Sequence, residues 1–292
     1  MSGLAPIDTI TVLAIVAKAA GTGAALLAMG SVLFTVIFAS YADASVLRLA
    51  RRIAIGAAVA GLVVLALRFG IRAARISGMG FEGAVDPMML GFVWQSPLGD
   101  AAIWRGLGEV SVLAVLIPGL GRWIAVAGSF AIAGSFAQIG HSLGDPRGAL
   151  AIALVIHILA AALWIGALAP LHRAVGVARG AGLLHHFGKV ALYGVAVLVA
   201  TGFALAWMLV GTLLALVSTA YGLGLLVKVL IVCGLLGIAA LNKLWLVPAL
   251  GAGRPGAKRA LRRSISVEMI AVVLILLATA SLTTVTTPPV NL

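Results

Sequence analysis

The chain has 292 residues, 63% of them hydrophobic and 10% charged, with a mean hydropathy of +1.20. A soluble globular domain carries roughly 25% charged residues to face water, so this composition excludes one and makes the membrane the solvent. The formal net charge of +12, from 20 Lys and Arg against 8 Asp and Glu, would suggest nucleic acid in a soluble protein. Here aromatic residues are few and not interleaved with basic runs, which argues against nucleic acid as a partner.

The apolar runs are long and continuous, which points to helices and against a membrane barrel of short alternating strands. At roughly 20 residues per crossing, the expected fold is an all-α integral membrane protein, a bundle of about eight transmembrane helices. The first covers residues 10–39, far longer than the core of a cleavable signal peptide, and the second 53–74. Residues 77–98, with Glu82, Asp86, Pro87 and Pro97, read as a loop with a short interfacial helix. The third and fourth helices, 101–118 and 123–140, are joined by a very short turn. The fifth covers 149–170, the sixth 187–210, the seventh 223–248 and the eighth 266–285. With no internal repeat and no long linker, residues 1–292 read as a single transmembrane domain. The 36 glycines suit close helix approach. The single Cys233 lies in an apolar run and excludes an intrachain disulfide.

Basic residues assign the orientation. Arg48, Arg51, Arg52, Arg122, Arg173, Arg179, Lys189, Lys243, Arg254, Lys258, Arg259, Arg262 and Arg263 flank the connections after helices one, three, five and seven. Only Arg72, Arg75 and Arg147 flank the others. The positive-inside rule makes the first group cytoplasmic and puts both termini outside. Residues 254–263 could also hold anionic lipid headgroups.

Subtracting loops leaves Lys18, Arg68, Arg105, Glu109, His157 and Lys228 inside the spans. A charge there costs about 3 kcal/mol and needs a partner, a water-filled cavity or a route to the interface. Arg68, Arg105 and Lys228 lie near outer helix ends, where they can snorkel. Arg105 and Glu109, at i and i+4, can pair on one helix face. His141, at a helix end, and His157, in an apolar helix, can approach each other across a short loop. Neutral imidazole is a ligand for copper, zinc, iron or nickel, and the pair alone does not choose. Met79, Met88 and Met89 in the outer loop and Met208 at the outer end of helix six offer thioethers, which suit Cu(I) but are also common apolar filler. His185 and His186 are adjacent and point about 100° apart on a helix, which disfavours joint chelation. Glu268, among basic neighbours, is expected to form an interfacial ion pair. No Walker loop, Ser-His-Asp arrangement or Cys-x-x-Cys motif is present.

The block Gly140-His141, the run from His157 through Trp164 to Gly166, and Pro170-Leu171 resemble the central signature of the copper resistance protein D family. The likeness continues through Thr201-Gly202, Thr219-Ala220-Tyr221-Gly222, Leu226-Val227-Lys228, Leu241-Asn242, Ser266-Val267-Glu268 and Pro288-Pro289, over residues 100–290. Gly166-Ala167 stands where the family pattern has two glycines, and Ala220 and Leu223 replace a proline and an arginine.

The resemblance implies a multi-pass protein of the bacterial inner membrane with periplasmic termini, moving copper from periplasm to cytoplasm in copper homeostasis or resistance. It implies a transporter rather than an enzyme, with His141 and His157 as ligands. Lys228, Tyr221, Trp164 and Glu268 match family positions without an assigned role. No copper-binding β domain precedes the first helix, so a separate periplasmic copper-binding protein is the expected partner; an oligomer is left open. One feature opposes a bare cation path: Lys18, Arg68, Arg105 and Lys228 face Glu109 alone in the outer half. The alternative is a b-type haem protein for electron transfer, its iron held by the same two histidines and its propionates by the basic residues.

Overall fold

The computed structural model describes residues 8–139 and 147–289, so His141 lies outside the described residues. Among the described residues eleven α-helices follow one another and no strand occurs. They are α1 (Thr9–Ile37), α2 (Ala44–Ser77), α3 (Pro87–Trp94), α4 (Pro97–Val112), α5 (Gly121–Ser135), α6 (Arg147–Ala174), α7 (Gly180–Val210), α8 (Leu213–Ser218), α9 (Ala220–Leu241), α10 (Val247–Gly251) and α11 (Ala257–Val285). Six stretches are long and apolar enough to cross a membrane: α1, α2, α6, α7, α9 continued into α10, and α11. The protein is therefore an all-α, multi-pass membrane protein.

The third and fourth expected spans form a shorter hairpin, α4 of 16 and α5 of 15 residues. Each is prolonged by a 3-10 turn, Leu113–Leu116 and Phe136–Gln138. Gly108 and Gly128 face each other across it, because a Cβ on either would lie 2.7 Å from the other's carbonyl oxygen.

Several helices start earlier than hydropathy suggests. α2 begins at Ala44 rather than near residue 53, and α11 at Ala257 rather than near 266. The added turns carry Arg48, Arg51, Arg52, Lys258, Arg259, Arg262 and Arg263. Arginine and lysine are good helix formers, and their stems lie along apolar surface while the charges reach water. α6 runs through Pro170 to Ala174 instead of stopping there. A helical proline removes one backbone hydrogen bond and presses its ring on the carbonyl four positions earlier, here that of Gly166, yet the helix continues for one more turn beyond it.

α1 is central and packs most extensively on α2 and α6; α4 packs on α5, α6 on α7, and α9 on α11. α1 and α6 cross at small residues: a Cβ on Gly30 would overlap the Ala162 carbonyl, and one on Gly166 would overlap the Gly30 backbone. One apolar core surrounds this crossing, with Met29, Val32, Val112 and Ile132. A second runs from Phe34 and Phe38 to Leu171, Leu183, Leu261 and Ile265.

The two ends of the bundle differ. Lys18 Nζ donates to the Thr283 carbonyl at 2.9 Å, so the start of α1 and the end of α11 lie together at what we call the terminal end. At the other, basic end the α1–α2 turn meets α7: Tyr41 stacks on His186 with centroids 3.8 Å apart, and Phe38 meets the same ring edge-on. His186 is thus packed between aromatic rings.

Candidate functional site: a polar track along α6

α6 is apolar except for a few groups on its inward side, and two of them, His157 and Trp164, are seven residues apart. At 1.5 Å per residue they share one face, about 10 Å apart along the axis.

The upper group is His157. Its Nδ1 lies 3.1 Å from Thr201 Oγ1 on α7. The Thr201 hydroxyl donates to the Val197 carbonyl at 2.7 Å, so the lone pairs of its oxygen face the ring. That arrangement suits the tautomer in which the imidazole donates through Nδ1 and Nε2 carries the lone pair, and the Leu198 backbone also hydrogen-bonds the ring. Gly202 leaves room for the ring, since a Cβ there would sit 3.3 Å from His157 Cε1. The neighbouring pair Thr201-Gly202 thus orients and accommodates one histidine. Lys228 on α9 lies within electrostatic reach of the same ring.

The lower group is Glu268 on α11, which is 4% exposed. Trp164 Nε1 donates to Glu268 Oε2 at 3.5 Å, and Asn242 Nδ2 donates to Glu268 Oε1. This corrects the expected interfacial ion pair: Glu268 faces the bundle interior and accepts from neutral donors, while its basic neighbours in sequence lie one to three turns nearer the basic end. Asn242 opens a π-helical stretch, Asn242–Leu246, and its Oδ1 is buried without a hydrogen-bond partner. Asn242 had no role in the sequence reading. The only signal was its place in the Leu241-Asn242 pair, because a contact between residues 26 positions apart leaves no local pattern.

The Thr219-to-Gly222 block has a structural explanation. Thr219 caps α9, its Oγ1 accepting from Gly222 N at 3.0 Å. A Cβ on Gly222 would collide with the Ala215 and Leu216 carbonyls. Tyr221 is buried with Val210 and Leu282.

Arg105 and Glu109 pair on α4, Nη1 to Oε1 at 3.9 Å. Arg105 does not snorkel. It is 6% exposed, its Nε donates to Ser135 Oγ at 2.9 Å, and its guanidinium lies 4.2 Å over the Phe136 ring. Gly61 of α2 makes space for the acid, because a Cβ there would be 2.6 Å from Glu109 Cδ. Lys18 and Arg68 line a separate cavity between α1, α2 and α4, away from His157.

The methionines are not gathered into one group. Met79 precedes a 3-10 turn, and Met88 and Met89 open α3, which packs on α2 and α4. Met79 and Met88 are exposed. Met208 is in the last turns of α7, seven residues beyond Thr201 and so on the same helix face. Among the described residues no three His, Cys, Asp or Glu side chains form a metal-holding group.

Residues 8–150 match the family described as Copper resistance protein D-like, N-terminal domain, and residues 181–282 match Copper resistance protein D. No curated protein and no solved structure matches the chain. Between them the two matches leave unmatched residues 151–180, which hold most of α6 with His157 and Trp164 and the connection to α7, and the chain ends. The chain belongs to the copper resistance protein D family.

Proposed function

We propose that the protein carries copper across the bacterial inner membrane from the periplasm to the cytoplasm, and that it acts as a transporter in copper homeostasis or resistance rather than as an enzyme. The observation that carries this reading is His157: an imidazole inside an apolar helix, held against α7 by Thr201 Oγ1 at Nδ1 and by the Leu198 backbone. Metal-ligating histidines use their other ring nitrogen in this way to set tautomer and orientation. The soft thioether of Met208, on the face of α7 that carries Thr201, suits Cu(I) on its way to His157. His141, outside the described residues, is the second proposed imidazole ligand, and Met79, Met88 and Met89 offer capture sites where a periplasmic copper-binding protein would deliver the ion. Below His157, Trp164 offers a ring face to a cation, and Glu268 with the free Asn242 Oδ1 offers oxygen atoms further along.

The cationic side chains oppose this path less than their number suggests. Arg105 is paired with Glu109, and Lys18 and Arg68 face their own cavity. Lys228 alone remains beside the histidine.

Purified protein in vesicles, assayed for copper uptake, tests the reading. His157→Ala should abolish uptake. Thr201→Val should lower it about 10- to 100-fold, as loss of an outer-shell partner does, with Thr201→Ser restoring it. Uptake unchanged in His157→Ala would overturn the assignment. An absorbance spectrum of the same preparation separates the haem reading, since bound haem gives an intense Soret band.

A further inference from the structure

The terminal end of the bundle holds a feature that a copper path does not use. A cavity of ≈ 370 Å³ lies between α1, α2, the start of α4 and the end of α11, and its lining includes Lys18, Arg68, Arg72 and Arg75. The three arginines stand at i, i+4 and i+7 of α2, a spacing that places them on one helix face, and Lys18 faces them from α1.

These four cations are poorly served by the protein itself. Lys18 Nζ donates to the Thr283 carbonyl, which uses one of three ammonium protons. Among the described residues none of the four lies within ion-pair distance of a carboxylate; the Arg105–Glu109 pair is the one such contact. Asp8 acts on Arg75 electrostatically from the start of α1, but its Oδ1 is engaged in capping that helix, accepting from Thr11 N at 2.7 Å. The chain does know how to neutralise a buried cation, as Arg105 shows with a carboxylate, a hydroxyl and a ring face. Among the described residues the cavity instead holds four like charges together.

A further contribution has the same sign. The N-terminus of α4 opens on the cavity through Ser96, Pro97 and Leu98, and the positive end of a helix dipole favours an anion there. The four cations and the α4 N-terminus therefore act in the same direction and favour negative charge in the space. The volume lies at the low end of small-molecule sites, enough for one compact anion or one phospholipid headgroup.

We propose that this cavity is a binding site for an oxyanion, a phosphate or carboxylate group, held by the forked guanidiniums of Arg68 and Arg72 and by the Lys18 ammonium. Planar guanidinium groups engage such oxygens in bidentate fashion. The cations of the site come from α1 and α2 and His157 is not among its lining residues, so it stands or falls independently of the copper reading.

Purified, delipidated protein in a non-ionic detergent tests it by titration with inorganic phosphate and with citrate, followed by calorimetry and thermal unfolding. Native mass spectrometry after exchange into vesicles of phosphatidylglycerol or phosphatidylcholine forms the second arm. Saturable phosphate or citrate binding assigns a free anion; retention of phosphatidylglycerol and not phosphatidylcholine assigns a headgroup. In either case Arg68→Gln and Arg72→Gln should each weaken binding about tenfold, the order of a lost charge-assisted bond, and salt should weaken it further. Arg72 is exposed, so Arg72→Gln leaves packing intact and keeps the test valid if Arg68→Gln fails to fold. Arg48→Gln, at the basic end, should leave binding unchanged. No binding of phosphate, citrate or phosphatidylglycerol by the wild-type protein, or binding indifferent to Arg72→Gln, would overturn the proposal.

Discussion

Adding a single methyl group at Gly166 places it where α1 and α6 come closest. The new Cβ would lie 2.5 Å from Ser31 N and 2.6 Å from Gly30 Cα. These are backbone atoms, which cannot rotate away, and comfortable carbon contacts need about 3.5–4.0 Å. The helices must therefore part by about 1 Å at the crossing, and α6 takes His157 and Trp164 with it. The Trp164 to Glu268 hydrogen bond is already 3.5 Å long and has no room to stretch. Overpacking of this kind costs about 1–3 kcal/mol, which for a chain of this size lowers the melting temperature by roughly 2–12 °C. The control is Gly234 on α9, where an added Cβ meets nothing within 4 Å. Alanine there should cost nothing and can gain up to about 1 kcal/mol of helix preference. Thermal unfolding in detergent, followed by tryptophan fluorescence, reads both variants. If Gly166→Ala melts with the wild-type protein, the close crossing of α1 and α6 is wrong, and with it the placement of Trp164 against Glu268.

Two further substitutions probe the buried charges. Arg105→Met strips the countercharge from Glu109, which is 1% exposed, and should cost about 3–5 kcal/mol; Arg105→Met combined with Glu109→Leu should recover most of that in the same unfolding assay, and a double variant no more stable than the single one contradicts the pairing. Glu268→Leu leaves the Trp164 and Asn242 donors without an acceptor, at about 1–3 kcal/mol each. Adding Asn242→Ala to it should then cost little, because its partner is already gone; fully additive losses would show that the two side chains do not interact.

Hydropathy makes the long helices legible because in lipid every backbone group must be satisfied within its own segment. It misplaces helix starts for the same reason, since a scale that penalises charge stops at Ile53 and Ser266 while the backbone helix continues through Arg48, Arg51, Arg52 and the arginines of 258–263 into the headgroup region. Pro170 reads as a stop, yet α6 continues four residues beyond it to Ala174. The candidate site was legible as a set of residues but not as an arrangement. His157, Trp164 and Glu268 stand out as polar or aromatic groups in apolar runs, whereas the Trp164 to Glu268 contact joins residues 104 positions apart, which no local spacing encodes. The i, i+4 pair Arg105 and Glu109 could be read because helix geometry alone sets it; the Ser135 and Phe136 partners come from another helix and could not.

The π-helical stretch Asn242–Leu246 has a consequence for any systematic mutagenesis of the span Ala220–Gly251. A wider turn of this kind inserts the equivalent of one extra residue, so the face that points inward changes phase at Asn242. A scan along α9 will read with a period of 3.6 residues up to Leu241 and then lose register by about a quarter of a turn. Positions in α10 assigned to lipid or interior by extending the helical wheel of α9 will be assigned wrongly. The tolerance profile of Trp245 and Val247 should follow the shifted wheel, with Val247 sensitive because it is 9% exposed and Trp245 permissive because it is 70% exposed.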